Sequence, residues 1–166
     1  MAGVQVETRY KIGDHRYIRP TDDYHIKIED DCKPSKYAKL SFLKWANMML
    51  LLQDINEAVE DASNGDETVD YEGDIGGGYR VTVDSWNWRV GIRKYYKIEG
   101  GFAGGWVESK IGISLLFSEW KNLNRAMEFL HADRPDIAAV VPCLTSTDHY
   151  NQEGACDLFI FYVAVY

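Results

Sequence analysis

The chain repeats itself. From Tyr10 to Val59 the pattern reads strand, strand, strand, amphipathic helix, and from Tyr79 to Leu130 the same order returns. Each third strand runs into a Ser, an apolar stretch and a helix carrying a Trp: KLSFLKW from Lys39 and GISLLFSEW from Gly112, the second copy with two extra residues. A sheet backed by a helix must bury one face against another layer. Two such units in one chain point to a pseudo-symmetric pair with a shared surface that neither unit has alone.

Periodicity gives the elements. Tyr10 to Ile12 and Arg16 to Arg19 read as strands around a Gly13-Asp14 turn. Tyr24 to Glu29 alternates apolar Tyr24, Ile26 and Ile28 with His25, Lys27 and Glu29, as a half-buried strand does. Tyr37 to Phe42 is the next strand. The helix expected from Leu43 to Glu60 carries Trp45, Met48, Met49, Leu52, Ile55 and Val59 on one stripe, and Leu50 and Leu51 widen it toward a second buried side. Further on, Tyr79 to Trp86, Trp88 to Tyr96 and Val107 to Leu116 read as strands, and Ser118 as the N-cap of a helix from Glu119 to His131. Ile137 to Leu144 and Asp157 to Tyr166 read as two more strands. The resulting division is a first repeat over 1–62, an acidic and glycine-rich linker over 63–78, a second repeat over 79–131 and a C-terminal strand extension over 132–166.

Charge is distributed unevenly. The net charge of −8 argues against a polyanion partner only until it is located. From Asp54 to Asp74 there are nine acids and no Lys or Arg, whereas Val81 to Arg125 has seven Lys plus Arg against four acids. Met1 to Leu50 has nine basic and seven acidic residues. The repeats are mildly basic, and the acids concentrate in the linker and tail. A polyanion responds to the local field rather than to the sum. The segment Ala62 to Gly78, acidic and ending in IGGG, is expected to be a mobile loop.

Other function classes find less support. No apolar run reaches the roughly 18 to 20 residues of a membrane span, and MAGVQVETRY has no apolar core of a secretory signal. Cys32, Cys143 and Cys156 are odd in number and widely spaced, as in a reducing compartment. An intracellular location is expected, nuclear rather than cytoplasmic. His15, His25, His131 and His149 lie in separate elements without metal or triad spacing, and Gly76 to Gly78 precedes a strand instead of opening a helix. No enzyme activity, cofactor or metal is expected.

Sorting the second repeat by a period of two puts Val81, Val83, Val90, Ile92, Ile111, Ile113 and Leu115 toward the helix. The other face then presents Arg80, Thr82, Trp86, Arg89, Gly91, Arg93, Tyr95, Lys110, Gly112 and Ser114, with the FAGGW loop from Phe102 to Trp106 as a rim. Single-stranded nucleic acid needs that combination: cations follow phosphates, rings stack on bases, and glycines let the strand approach.

These motifs resemble one family. YKIGDHRYI followed by YHIKIED, and WRVGIRKYY, SKIGISL and EWKNL in the second repeat, are similar to the eukaryotic transcriptional coactivators of the positive-cofactor-four type. The residues that carry the likeness are Ile12, Gly13, Arg16 and Tyr17, then Ile92, Arg93, Tyr95, Tyr96, Lys110, Gly112, Ile113, Ser114 and Trp120. The resemblance covers most of Tyr10 to Leu130 and leaves out the tail from His131. It implies curved antiparallel sheets, each backed by a kinked helix, in a dimer that holds antiparallel single strands or melted duplex. The expected fold class is therefore α+β: two β-β-β-α units forming an intrachain pseudo-dimer, plus C-terminal strands. It also implies base stacking by Trp86 and Tyr96 and phosphate contact by Lys110, with Arg80, Arg89, Arg93 and Lys97 beside them; Arg16, Lys27 and Lys39 are the first-repeat cations of the same surface. The first repeat departs from the pattern, running into Asp30-Asp31 where an aromatic belongs and placing Lys39 at the glycine of KGISL.

The expected function is non-catalytic binding of single-stranded or unwound DNA in transcription or replication, alongside proteins of those processes. The alternatives are an acidic protein-interaction module or DNA mimic on the same fold, and RNA binding. The chain is expected as a monomeric pseudo-dimer or a further homo-oligomer, with no membrane partner.

Overall fold

The computed structural model describes residues 8–98 and 105–142. In chain order, β1 (Tyr10–Lys11), β2 (Arg16–Pro20), β3 (His25–Asp30) and β4 (Tyr37–Ser41) lead into α1 (Phe42–Leu50) and α2 (Leu52–Ser63). Then β5 (Asp70–Gly76), β6 (Tyr79–Asp84), β7 (Arg89–Lys97) and β8 (Trp106–Leu116) lead into α3 (Phe117–Asp133) and the short α4 (Pro135–Ala138). The class is α+β. All eight strands form one antiparallel sheet in the order β1-β2-β3-β4-β8-β7-β6-β5.

Alternation decides which side is covered. Ile18, Ile26, Ile28, Ala38 and Leu40 from the early strands, and Val81, Val83, Val90, Ile92, Ile113 and Leu115 from the later ones, are fully buried. They share one core with Trp45, Met48, Ile55 and Val59 of α1 and α2 and with Trp120, Leu123, Ala126 and Leu130 of α3. Each such side chain contributes ~1.5–3 kcal/mol by leaving water, so the helices are fixed to one face of the sheet, and among the described residues nothing packs over the other.

The acidic segment expected to be mobile is a strand. In β5 the carboxylates Asp70, Glu72 and Asp74 alternate with Tyr71, Gly73 and Ile75, and Ile75 is fully buried. The turn into β6 takes positive φ at Gly76, Gly77 and Gly78, a conformation that glycine adopts without steric cost. Ile75-Gly76 thereby occupies in the later half the place that Ile12-Gly13 holds in the earlier one. Four strands lead from α2 to α3, as four precede α1, where three were expected from Tyr79 to Leu116.

Four other expectations change. The long helix breaks at Leu51, whose amide bonds to the carbonyls of Asn47 at 3.3 Å and Met48 at 3.1 Å as the last turn tightens; Leu50 is consequently 49% exposed rather than covered on a second side. Phe42 and Phe117 open their helices, and Trp45 and Trp120 follow at the same spacing, so no residues are inserted there. Ser41 caps α1 by accepting from the Lys44 amide at 3.2 Å, but Leu116, not Ser118, stands at the N-cap of α3, and Glu119 reaches back to accept from its amide at 2.8 Å. Ile137 belongs to α4 instead of a strand, Pro135 having set the helical φ. Asp157–Tyr166 and Phe102 to Gly104 lie outside the described residues.

The strand β8 is irregular. While β7 advances from Arg93 to Tyr95, β8 runs from Gly112 to Glu108, and the surplus residues bulge. Ile111, expected on the core side, is 39% exposed as a result.

Where the early and late strands meet, β4 and β8 share one register pair, Tyr37 opposite Gly112. Side chains close the gap. Arg16 of β2 donates to the Ser114 carbonyl, to Glu119 at 3.3 Å and to Asp30 at 3.0 Å. Tyr79 of β6 is buried and hydrogen-bonds with the Lys39 backbone.

Candidate nucleic-acid interface

The open face is built row by row across the strands. One row of cross-strand neighbours runs Lys11, Tyr17, Glu29, Tyr37, Gly112, Arg93, Arg80 and Asp74. A second runs Arg19, Lys27, Lys39 on the early strands. A third runs Ser114, Gly91, Thr82, Glu72 on the late ones. At Gly91 an added Cβ would come within 2.6 Å of Thr82 Oγ1, so the backbone stays bare at the centre of the late half.

Cations on this face rest over rings. The Arg80 guanidinium lies 5.1 Å from the ring centres of both Tyr95 and Trp106. Arg9 stands 4.0 Å over Tyr17, and Lys27 5.1 Å over Tyr37. Each such contact holds a long side chain flat against the sheet. The cations also have carboxylate partners: Arg80 with Glu72, Arg93 with Glu108 at 2.8 Å, Arg19 with Glu29 at 2.7 Å, and Lys39 with Asp23 at 2.6 Å. The Lys39 hydrogen bond, seconded by Thr21, pulls the Asp23 carboxyl well below its ordinary pKa. Burial, with Glu108 and Glu72 nearby, raises that of Tyr95 and keeps its phenol neutral.

The residues singled out by sequence divide as follows. Arg80, Arg89, Arg93 and Lys97 share the open face with Lys27 and Lys39. Arg89 is exposed, with Nη1 donating to the carbonyls of Asn87 at 3.3 Å and Trp88 at 3.2 Å. Lys110 is exposed within the β8 bulge. Trp86 stands at the tip of the β6–β7 hairpin, 91% exposed, beside Trp88 and the end of α2 in a cavity of about 430 Å³. Tyr96 alternates with Tyr95, so it lies on the side opposite Arg80 and Arg93. Arg16 has the parity of buried Ile18 rather than of the open face, and its guanidinium is taken up by Asp30, Glu119 and Ser114 as a bridge between early and late strands.

Tyr95, Tyr17, Tyr37 and Trp106 are the rings that share the face with the cations. Of these, Tyr17 and Tyr95 belong to the motifs and alternation already puts Tyr95 here, whereas Tyr37 is not singled out by the sequence. Tyr24 and Trp88 are a matched pair of another kind. Each precedes a strand, each takes a positive φ (63° and 54°), and each lies 5.9 Å from the Phe that opens the following helix, Phe42 or Phe117. A bulky side chain at positive φ is an outlier that its surroundings must hold. Here the ring contact holds it.

Among the described residues, no cluster of His, Cys, Asp or Glu has metal-binding geometry, and no helix is long and apolar enough to cross a membrane. No family model, curated protein or solved structure matches the chain.

Proposed function

We propose that the chain is a non-catalytic binder of single-stranded or unwound DNA, acting in transcription or replication, and that its two strand-and-helix halves form an intrachain pseudo-dimer. One observation carries the reading: a sheet face, uncovered among the described residues, on which Arg80 lies over Tyr95 and Trp106, Lys27 over Tyr37, and Arg9 over Tyr17. Such a surface offers ring faces to unstacked bases, at ~1–3 kcal/mol per stacked base, and cations to the phosphates between them. Duplex DNA keeps its bases stacked inside and gives the rings nothing to hold. The pseudo-dimer reading is supported by the repeated element order and by the mirrored strand order around β4 and β8.

The test is fluorescence anisotropy with labelled single-stranded DNA, duplex DNA and RNA over a salt series. Single-stranded DNA is expected to bind most tightly, with affinity falling as salt rises. Equal or absent binding of single and double strands at low salt would sink the reading. A rival gains from one observation, the carboxylates Asp70, Glu72 and Asp74 aligned on the open side of β5. A protein-interaction module or DNA mimic would use them toward a basic partner, and would bind no DNA in the same assay. Tightest binding of the RNA arm would select RNA.

A further inference from the structure

The open face is electrically lopsided. On β1 to β4 its strand positions carry Lys11, Arg19, Lys27 and Lys39 against the single carboxylate Glu29. On β5 to β8 they carry Arg80, Arg89, Arg93 and Lys97, with Lys110 exposed in the β8 bulge, but Asp70, Glu72, Asp74, Asp84 and Glu108 stand among them.

Pairing sharpens the contrast. In the early half Glu29 serves two cations, Arg19 at 2.7 Å and Lys27 at 3.7 Å, while Lys39 is met by the loop residue Asp23. Arg19, Lys27 and Lys39 are direct cross-strand neighbours, so three like charges line one row. Like charges directly opposite each other destabilise a sheet. An arriving phosphate chain relieves that cost over a span of roughly 10 Å, two interstrand spacings. In the late half Arg80 and Arg93 are neutralised by Glu72 and Glu108. Asp70 faces Asp84 directly, so the repulsion there is between anions. The trough over these strands, about 520 Å³, is lined by Asp70, Glu72, Asp84 and Glu108 as well as Arg89 and Arg93. A phosphate entering it meets more negative charge than positive.

We infer that the early half alone holds the phosphate chain: one single strand per molecule, tracked by Arg19, Lys27 and Lys39, with the late half repelling a second. This rests on the single-strand-binding reading. It differs from what the resemblance implies, two antiparallel strands in a pair whose first repeat is the one that departs from the binding pattern.

The experiment titrates the full chain and two variants with labelled oligothymidylate about eight nucleotides long at low salt, and circular dichroism confirms each variant's fold. Lys27→Gln with Lys39→Gln is expected to weaken binding about tenfold and to flatten the log–log salt slope by about 1.4, the loss of two phosphate contacts to a single strand. Arg89→Gln with Lys97→Gln, both exposed on the late half, is expected to change affinity less than about threefold. The unaltered chain should take up one oligonucleotide. Equal losses in the two variants, a larger loss in the second, or two strands per unaltered chain would overturn the inference while leaving single-strand binding intact. No binding by the unaltered chain would instead remove the reading on which it stands.

Discussion

Trp45 donates its indole N–H to Nε2 of His131 at 3.0 Å, joining α1 to α3. The arrangement recurs: Trp120 donates its own to Oδ1 of Asn56 on α2 at 2.7 Å. Trp45 to Trp120 and Asn56 to His131 are equal intervals along the chain. Both indoles are fully buried, where an unpaired N–H would cost ~1–3 kcal/mol. Thus α3 supplies the acceptor for the Trp of α1, and α2 supplies the acceptor for the Trp of α3.

His131 makes this joint sensitive to acid. Burial lowers its pKa below the ordinary histidine value, and its Nε2 must stay unprotonated to accept from Trp45. The unfolded chain, with a histidine pKa of about 6.5, then binds a proton more readily than the folded one. Stability should be full above about pH 6.5 and fall as pH drops toward the folded-state pKa. Melting temperatures between about pH 5 and 8 would show it. His131→Asn, which reproduces the Asn56 arrangement, should flatten that part of the profile. An unchanged acid-side decline in this variant would assign the effect elsewhere.

A second loss should appear at lower pH. Burial opposes ionisation of Asp30, yet Arg16 and the amides of Cys32 and Lys33 outweigh it and bring its pKa below the ordinary value. Its stabilisation is therefore present above about pH 4 and disappears as pH falls through the folded-state pKa. Asp30→Asn should reduce this decline in a urea-unfolding series.

Arg16 should behave as a strut rather than a ligand. Arg16→Met leaves Asp30 and Glu119, both largely buried, without their shared cation, at a cost of about 3 kcal/mol. Chemical unfolding would measure the loss. Affinity of the folded protein for single-stranded DNA should stay within about twofold. A large loss of affinity with stability unchanged would return Arg16 to the interface.

The tryptophans should separate by role. Trp120→Ala removes a fully buried ring and should cost ~3–5 kcal/mol. Trp86→Ala, at an exposed hairpin tip, should alter stability by less than about 0.5 kcal/mol and be read in the binding assay instead. Trp88 should show a reversed order of substitutions: Trp88→Gly more stable than Trp88→Ala by about 1–2 kcal/mol, because both lose the Phe117 contact but only alanine keeps the penalty of positive φ. Equal stabilities would mean that the turn relaxes once the ring is gone.

Much of this was legible in the sequence. Periods of two and 3.6 located the inward residues of β3, β6 and β7 and the stripes of α1 and α3, because those patterns follow from which side meets water. Strand β5 was not legible as a strand: Gly73 interrupts its apolar face, and the carboxylates of Asp70, Glu72 and Asp74 read as solvation. The recurrence of Ile-Gly ahead of β2 and β6 was the overlooked signal. The break at Leu51 carries no Pro or Gly, and the β8 bulge depends on how two strands meet. The interface was half legible. Alternation selected Arg80, Arg89, Arg93 and Tyr95, but the resemblance gave the stacking role to Tyr96, and only the fold could reveal that Arg16 is occupied.

Tyr37 and Gly112 face each other where the two proposed halves adjoin. In a dimer of identical chains, a residue on the two-fold axis must meet its own copy, so any side chain chosen there is placed twice. One continuous chain is released from that rule. It sets an aromatic ring on β4 and bare backbone opposite it on β8, and Gly112 admits the Arg93 side chain so closely that an added Cβ would sit 2.8 Å from it. Joining the halves thus permits what identical subunits cannot have: two sides of one seam free to specialise apart.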